Sequence, residues 1–374
     1  MNRIFRTVIF ILILSTISSC ASPNKSAQNT TTQSSQKAAV GKSVTELDEN
    51  IWVVYQDRTD KYWFGSNDSG AYSYDGEDLI QYTIDDGLIA NAMRGIEEDR
   101  LGNIYFETPN GISKYDGTTF ETLEVSQANS NEWKLEPDDL WFNCNASLND
   151  LYRYDGHLLH ELTLPRIDLD SAFNTHVDGL SFKDRTYSPY AVFGIDKDTD
   201  GSLWIGTGEA GAYKYDGNTF LWFGEKELTT LPDGRVPGVR SMLQDKEGNM
   251  WLSNFLSKYQ VTTIDSVQSY KKLEGIGNLD DFFPERLPYF NSGLSDQNGD
   301  LWMTTYTGGV WKLQGNKLLN WKVETATNEA LLVTIYEDNH GVIWLGSRNL
   351  GVFRFNGEEF VQFDKFADEL FKQY

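Results

Sequence analysis

The chain's 374 residues carry 55 Asp and Glu against 32 Lys and Arg, a formal charge of −23. A surface this acidic repels phosphate backbones and anionic headgroups, which argues against nucleic acid as a partner and leaves membrane attachment to a covalent anchor. With 40% hydrophobic and 14% aromatic residues, the chain has the apolar surface to fold around a core.

The first element is a leader. Arg3 and Arg6 precede the apolar run Val8–Leu14, and small residues come next, up to Ile17-Ser18-Ser19-Cys20. That order is the pattern of a secretory signal, and the run is too short for a stable membrane span. The junction resembles a bacterial lipobox, which implies cleavage before Cys20 and acylation of its thiol. Residues 1–19 are therefore expected to be a lipoprotein signal peptide. Residues 20–45, polar and without apolar periodicity, are expected to be a flexible tether lipidated at Cys20. The expected location is the outer membrane, on the periplasmic or the cell-surface side. Cys144 is then the remaining thiol, so no intramolecular disulfide can form and the core must stabilise the fold.

From residue 46 to 374 the sequence repeats a phrase: an Asp, a Gly three residues on, and an aromatic three residues after that. The Asp positions are Asp57, Asp99, Asp198, Asp245, Asp296 and Asp338; the aromatic positions are Trp63, Tyr105, Trp141, Trp204, Trp251, Trp302 and Trp344. Asp60 takes the Gly position in the first copy, and the third is legible only from Leu140-Trp141-Phe142 and its downstream partner Tyr152–Gly156. Downstream of each phrase a Gly-x-Tyr-like run leads to Asp-Gly or a similar pair, as at Asp75-Gly76 and Asp216-Gly217, and then to one more aromatic run such as Phe220–Phe223. Asp-Gly between alternating runs predicts two-residue hairpin turns with positive φ at both positions. Each unit is thus four short strands at a mean interval of about 47 residues. Antiparallel four-stranded units at that period predict an all-β, seven-bladed β-propeller.

These residues also carry a family resemblance. "DKDTDGSLWIGTGEAGAYKYDG" (196–217) and the connector "YTIDDGLIANAMRGIEED" (82–99) resemble the two-component regulator propeller repeat, over essentially residues 50–365. The resemblance implies the propeller fold and a place among periplasmic sensor modules, often those of carbohydrate-responsive histidine kinases. After the last repeat the sequence runs only to Tyr374. The chain by itself is therefore expected to lack a kinase and not to signal directly across a membrane.

The stretch Asp196-Lys-Asp-Thr-Asp-Gly201 matches the opening of an EF-hand calcium loop. Its twelfth position is Thr207 where a bidentate acid is needed, and strands rather than helices flank it. Equivalent copies have Tyr55, Glu97, Leu243, Leu294 and Tyr336 at the Asp196 position, so Asp198 and Gly201 alone belong to the shared design. The six repeated aspartates are accordingly read as turn residues accepting hydrogen bonds from nearby amides, and the tryptophans as packing between blades. No metal and no cofactor is expected.

Function is expected where the repeat breaks. Two insertions qualify: 165–189, with Asp168, Asp170, His176, Asp178 and Arg185, and 275–289, with Asp280, Asp281, Phe282, Phe283, Arg286 and Tyr289. The other place is the mouth of the central channel, where the innermost strands begin. Five residues before each Asp stand Trp52, Arg94, Phe193, Arg240, Asn291 and Val333, with Ser130 in the degenerate unit. Two cations, an amide and two aromatics suit the carboxylate or sulfate of an acidic glycan. The candidate ligand-binding set is therefore Trp52, Arg94, Phe193, Arg240, Asn291, His176 and Arg286. The four histidines, His157, His160, His176 and His340, show no metal spacing, and no nucleophile motif is present. A ligand- or protein-binding sensor or scaffold module is the expected function, its partner a glycan, a peptide or an envelope protein. The alternatives are a lyase or hydrolase using loop carboxylates, and an assembly subunit of an envelope complex.

Overall fold

The computed structural model describes residues 38–126, 131–144, 150–173, 182, 188–231, 234–276 and 289–364. Cys20, Ser130, His176, Asp178, Arg185, Asp280, Asp281, Phe282, Phe283 and Arg286 lie outside the described residues. The described chain forms seven antiparallel sheets, whose strands, apart from an added outer strand in blade 1, run from inner to outer in chain order. This is the seven-bladed propeller that the repeat predicts. Blade 4 shows the unit: Val192–Lys197, Leu203–Thr207, Ala212–Tyr215 and Phe220–Phe223. The second strand, which carries the tryptophan or, in blade 2, Tyr105, is buried at every position in blades 1, 2, 4, 5, 6 and 7, as a strand sandwiched between neighbours must be.

Seven hydrophobic clusters occupy the seven interfaces between blades. Trp63 of blade 1, for instance, packs with Phe106, Tyr115 and Tyr82, its ring 5.4 Å from that of Phe106. The ring closes without strand exchange. Between blades 7 and 1, Trp344 lies 4.9 Å from Tyr62, the Tyr62 hydroxyl donates to Asp338 at 2.7 Å, and Asn339 donates through its backbone N–H to Gln56. Phe363, just beyond the outer strand of blade 7, wedges against Tyr74 and Phe64 of blade 1.

Close approach of neighbouring blades explains the glycine two residues after several of the tryptophans. At Gly206 an added Cβ would meet the carbonyl oxygen of Val239 at 2.2 Å. Gly206→Ala is therefore expected to cost about 1–3 kcal/mol through displacement of the adjacent blade, measurable as a lowered melting temperature; an unchanged value would contradict this packing.

The structure departs from the sequence reading in three places. The Asp-Gly pairs open four-residue loops, not two-residue turns: Tyr215 pairs with Phe220, so Asp216–Thr219 form the loop. Asp216 accepts from the N–H groups of Asn218 and Thr219, and Gly217 takes the positive φ. Blade 1 gains a fifth strand, since Lys42–Ser43, within the stretch expected to be a tether, pair with the outer strand Leu79–Tyr82. Blade 3 has three described strands, Leu140–Phe142, Asp150–Tyr154 and Leu159–Thr163, and none of the described residues supplies its innermost one. The chain leading to it lies against the outside of the blade. Ser126 donates to the Leu159 carbonyl and the Asn131 side chain accepts from Thr163 N–H. The sequence Asn131–Asp139 alternates polar and apolar residues over Glu132–Glu136 but lacks the apolar run that opens the other blades, and Pro137 interrupts it.

Candidate ligand-binding site at the channel mouth

An innermost strand begins on the face where the second strand ends. The starts of the inner strands and the hairpins between second and third strands therefore share one face of the ring. There the structure brings Trp52, Arg94, Phe193, Arg240, Asn291 and Val333 together around one cavity of about 1000 Å³. Arg348 and Tyr306, from the hairpins of blades 7 and 6, complete its wall, with Arg235 and Tyr289. Counting back from each aspartate reaches the inner strands and not the hairpins; that both open on one face is the signal for Arg348 and Tyr306.

Arg94, Arg240 and Arg348 are held by rings and neutral acceptors. The Arg94 guanidinium lies 4.6 Å from the Trp52 ring centroid, and that of Arg348 5.3 Å from the same ring. Trp52 is itself fixed by its indole N–H donating to Asn50 at 2.8 Å. Arg94 donates to the Asn67 side chain and the Met93 carbonyl, and Arg348 to the Tyr306 hydroxyl at 2.8 Å. Arg240 sits 4.5 Å from the Phe193 ring and donates to the Pro237 carbonyl. Asn291 donates to the Leu332 carbonyl, while its buried Oδ1 has no partner among the described residues, and neither has Nε of Arg94. Among the described residues no Asp or Glu lines this cavity. Burial holds the Arg94 guanidinium below its usual pKa, the charge of Glu107 opposes this, and the like charge of Arg348 adds to it.

Glu107 is the carboxyl group behind this wall. It is buried in blade 2 and accepts the backbone N–H groups of Asn143 and Cys144. Burial pushes its carboxyl up to about 7, against those two hydrogen bonds and Arg94, which pull it down. An acid whose folded pKa lies above its unfolded value holds a native-state proton that the unfolded chain has lost, so stability falls as pH rises between the two values. Melting temperature is thus expected to fall as pH rises from about 4.5 to 7, and Glu107→Gln, which keeps an acceptor for both N–H groups, should flatten that slope. An unaltered slope in the variant would contradict the assignment.

The repeated aspartates lie on the opposite face. Each accepts the N–H groups two and four residues ahead and the ring donor six ahead: Asp198 takes Asp200, Ser202 and the Trp204 indole at 2.9 Å. The same set recurs at Asp57, Asp99, Asp245, Asp296 and Asp338, where Asp99 takes the Tyr105 hydroxyl. Gly201 adopts φ 82° within the turn, and Asp60 adopts φ 65° in its place in blade 1. From the third strand a cation faces the tryptophan and reaches the same carboxylate, Lys214 to Asp198 and Lys258 to Asp245. Among the described residues no group of three or more His, Cys, Asp or Glu is placed to hold a metal ion. Of the loop carboxylates, Asp168 caps the short helix Leu169–Ala172 and Asp170 accepts the Phe182 N–H.

No protein-family model matches the chain, and no curated protein matches it. Among solved structures it is similar to the extracellular domain assigned to a one component system from B. thetaiotaomicron, at 21% identity and TM-score 0.54 over 86% of this chain and 40% of that one. It is also similar to a streptogramin B lyase, at 12% identity and TM-score 0.57 over 85% of this chain and 96% of the lyase. The virginiamycin B lyase of Staphylococcus aureus matches at 13% identity and TM-score 0.57, over 83% and 96% of the two chains. This chain spans about 40% of the length of the extracellular domain it matches. At these identities the likeness is one of fold alone. No helix among the described residues is long and apolar enough to cross a membrane.

Proposed function

We propose that this protein is a lipid-anchored propeller of the cell envelope whose channel mouth binds an anionic ligand, an acidic glycan fragment in particular. The observation that carries the reading is the cavity wall: four arginines, Arg94, Arg235, Arg240 and Arg348, and no carboxylate among the described residues, in a chain of net charge −23. Cations gathered where the surrounding surface is acidic focus the field on the mouth and favour one class of ligand there. Guanidinium planes match carboxylate and sulfate in bidentate geometry.

A glycan array followed by product analysis tests this. Retention of acidic oligosaccharides, unaltered, supports a binding module. Turnover that a single Asp→Asn change abolishes would replace it with the lyase or hydrolase reading. The anchor is tested separately: Cys20→Ser is expected to move the protein from the membrane fraction to the soluble fraction, and retention in the membrane would overturn the lipoprotein part of the proposal.

A further inference from the structure

Blade 3 is the exception among the seven. In the other six blades the ring donor of the second strand gives its hydrogen bond to the repeated aspartate. The position six before Trp141 is Leu135, which offers no side-chain acceptor. Trp141 is 6% exposed, and its indole N–H has no partner among the described residues. The nearby Asp139 is turned elsewhere, to Arg153 Nε at 2.7 Å and to the Glu136 N–H.

The innermost position of this blade is also without a strand among the described residues. Side chains of the flanking blades reach over its two ends: Glu107 of blade 2 accepts the N–H groups of Asn143 and Cys144, and Lys197 of blade 4 donates to the Asp139 carbonyl. Between these ends a cavity of about 390 Å³ opens on the face opposite the arginine-lined mouth. Leu140, Trp141, Glu97, Asp196 and Ile195 are in its wall. The other charges of the wall are largely engaged, Arg58 with Glu98 and Arg100 with Asp138. Glu97 and Asp196 form no ion pair among the described residues, and Lys197, the remaining cation of the wall, acts on Glu97 only at longer range.

We propose that this slot is a docking site for an extended peptide segment bearing a lysine or arginine, which occupies the innermost position of blade 3, where no strand is found among the described residues. The occupant is set by what the slot needs. An extended backbone supplies carbonyl oxygens, one of which would accept the Trp141 N–H, and it can pair along the free edge of Leu140–Phe142 as an added strand. A basic side chain matches the two carboxylates left without a cation. An acidic or neutral segment would leave both unpaired. The raised carboxyls agree with this geometry. Desolvation by the slot walls, with neighbouring acids, Glu107 in one case and Asp198 in the other, pushes Glu97 and Asp196 up to about 7, against the charge of Lys197 on Glu97 and its backbone N–H on Asp196. A bound cation would oppose that shift.

The test uses the full chain and three probes: a blocked pentapeptide Thr-Val-Lys-Val-Thr, its glutamate counterpart, and spermidine. Calorimetry gives affinity, and the indole ¹⁵N–¹H resonance of Trp141, assigned through Trp141→Phe, reports on the slot. The lysine peptide is expected to bind and to shift that resonance downfield, with the glutamate peptide at least about tenfold weaker, a difference of about 1.4 kcal/mol. Glu97→Gln combined with Asp196→Asn, with a melting temperature no lower than that of the wild type, should weaken the lysine peptide by a similar factor. Absence of lysine-peptide binding overturns the proposal. So does spermidine binding as tightly as the peptide with the Trp141 resonance unmoved, since that marks a simple acidic patch. The wild-type resonance shift stands on its own if the double variant does not fold.

Discussion

Asp198→Ala is expected to cost the fold about 3–5 kcal/mol, the range for removing one partner of a buried ion pair. The Asp198 and Lys214 side chains are 2% and 10% exposed, so the truncation strands an ammonium in the interior together with the Trp204 indole N–H and two backbone N–H groups. Each orphaned donor adds its own desolvation cost. Asp198→Ala combined with Lys214→Met should recover much of the loss, because the stranded charge is removed with its partner. Denaturant unfolding of the wild type, the single variant and the pair decides this. A double variant no more stable than the single would mean that the turn's hydrogen bonds, not the ion pair, dominate. Asp99→Ala is the milder comparison: Asp99 accepts from neutral donors, Leu101, Asn103 and Tyr105, and no ion pair to it occurs among the described residues. Its cost should be about 1–2 kcal/mol.

Reversing charge at the mouth is expected to have the largest effect on binding. Arg94 and Arg348 both lie over Trp52, one deep in the wall and one in a hairpin at the rim. The double change Arg94→Glu and Arg348→Glu replaces two attractive contacts to an anion by two repulsive ones. At roughly 1.5–3 kcal/mol for each charge-assisted hydrogen bond lost, affinity for an acidic oligosaccharide should fall by at least about a hundredfold. Arg348→Ala alone should weaken binding by about tenfold, with a stronger effect at low salt, because an exposed guanidinium acts partly at a distance. Unaltered affinity in the double variant would remove the mouth as the binding site. Circular dichroism and melting curves separate this outcome from misfolding, which Arg94, partly buried, makes necessary.

The repeat was legible because one physical solution recurs. The Asp198 to Trp204 spacing is the reach of a carboxylate from the start of a turn to an indole six residues on, and every blade that keeps both residues shows it. Blade 3 was hard to read for the same reason. With Leu135 in place of the aspartate, the marker was absent where the local structure differed most. The four-residue loops were misread because Asp-Gly fixes the presence of a turn, whereas its length depends on where Tyr215 and Phe220 find each other in register. Five of the proposed ligand-binding residues were found by counting along the repeat and do share one cavity. Arg348 and Tyr306 were not, since a hairpin joins the site only once seven blades have closed into a ring. The lack of carboxylates among the described residues of the wall is likewise a property of the assembled surface, invisible in a sequence rich in Asp and Glu.

The central claim is that the channel mouth selects an anion, and the most direct test is a paired calorimetric titration of the wild-type protein. One ligand is an oligosaccharide carrying uronic acid carboxylates; the other is the neutral sugar of the same linkage and length. The acidic ligand is expected to bind, to lose affinity as salt rises from about 50 to 200 mM, and to exceed the neutral one by at least about tenfold. Equal affinity for the two, or affinity indifferent to salt, would contradict the account.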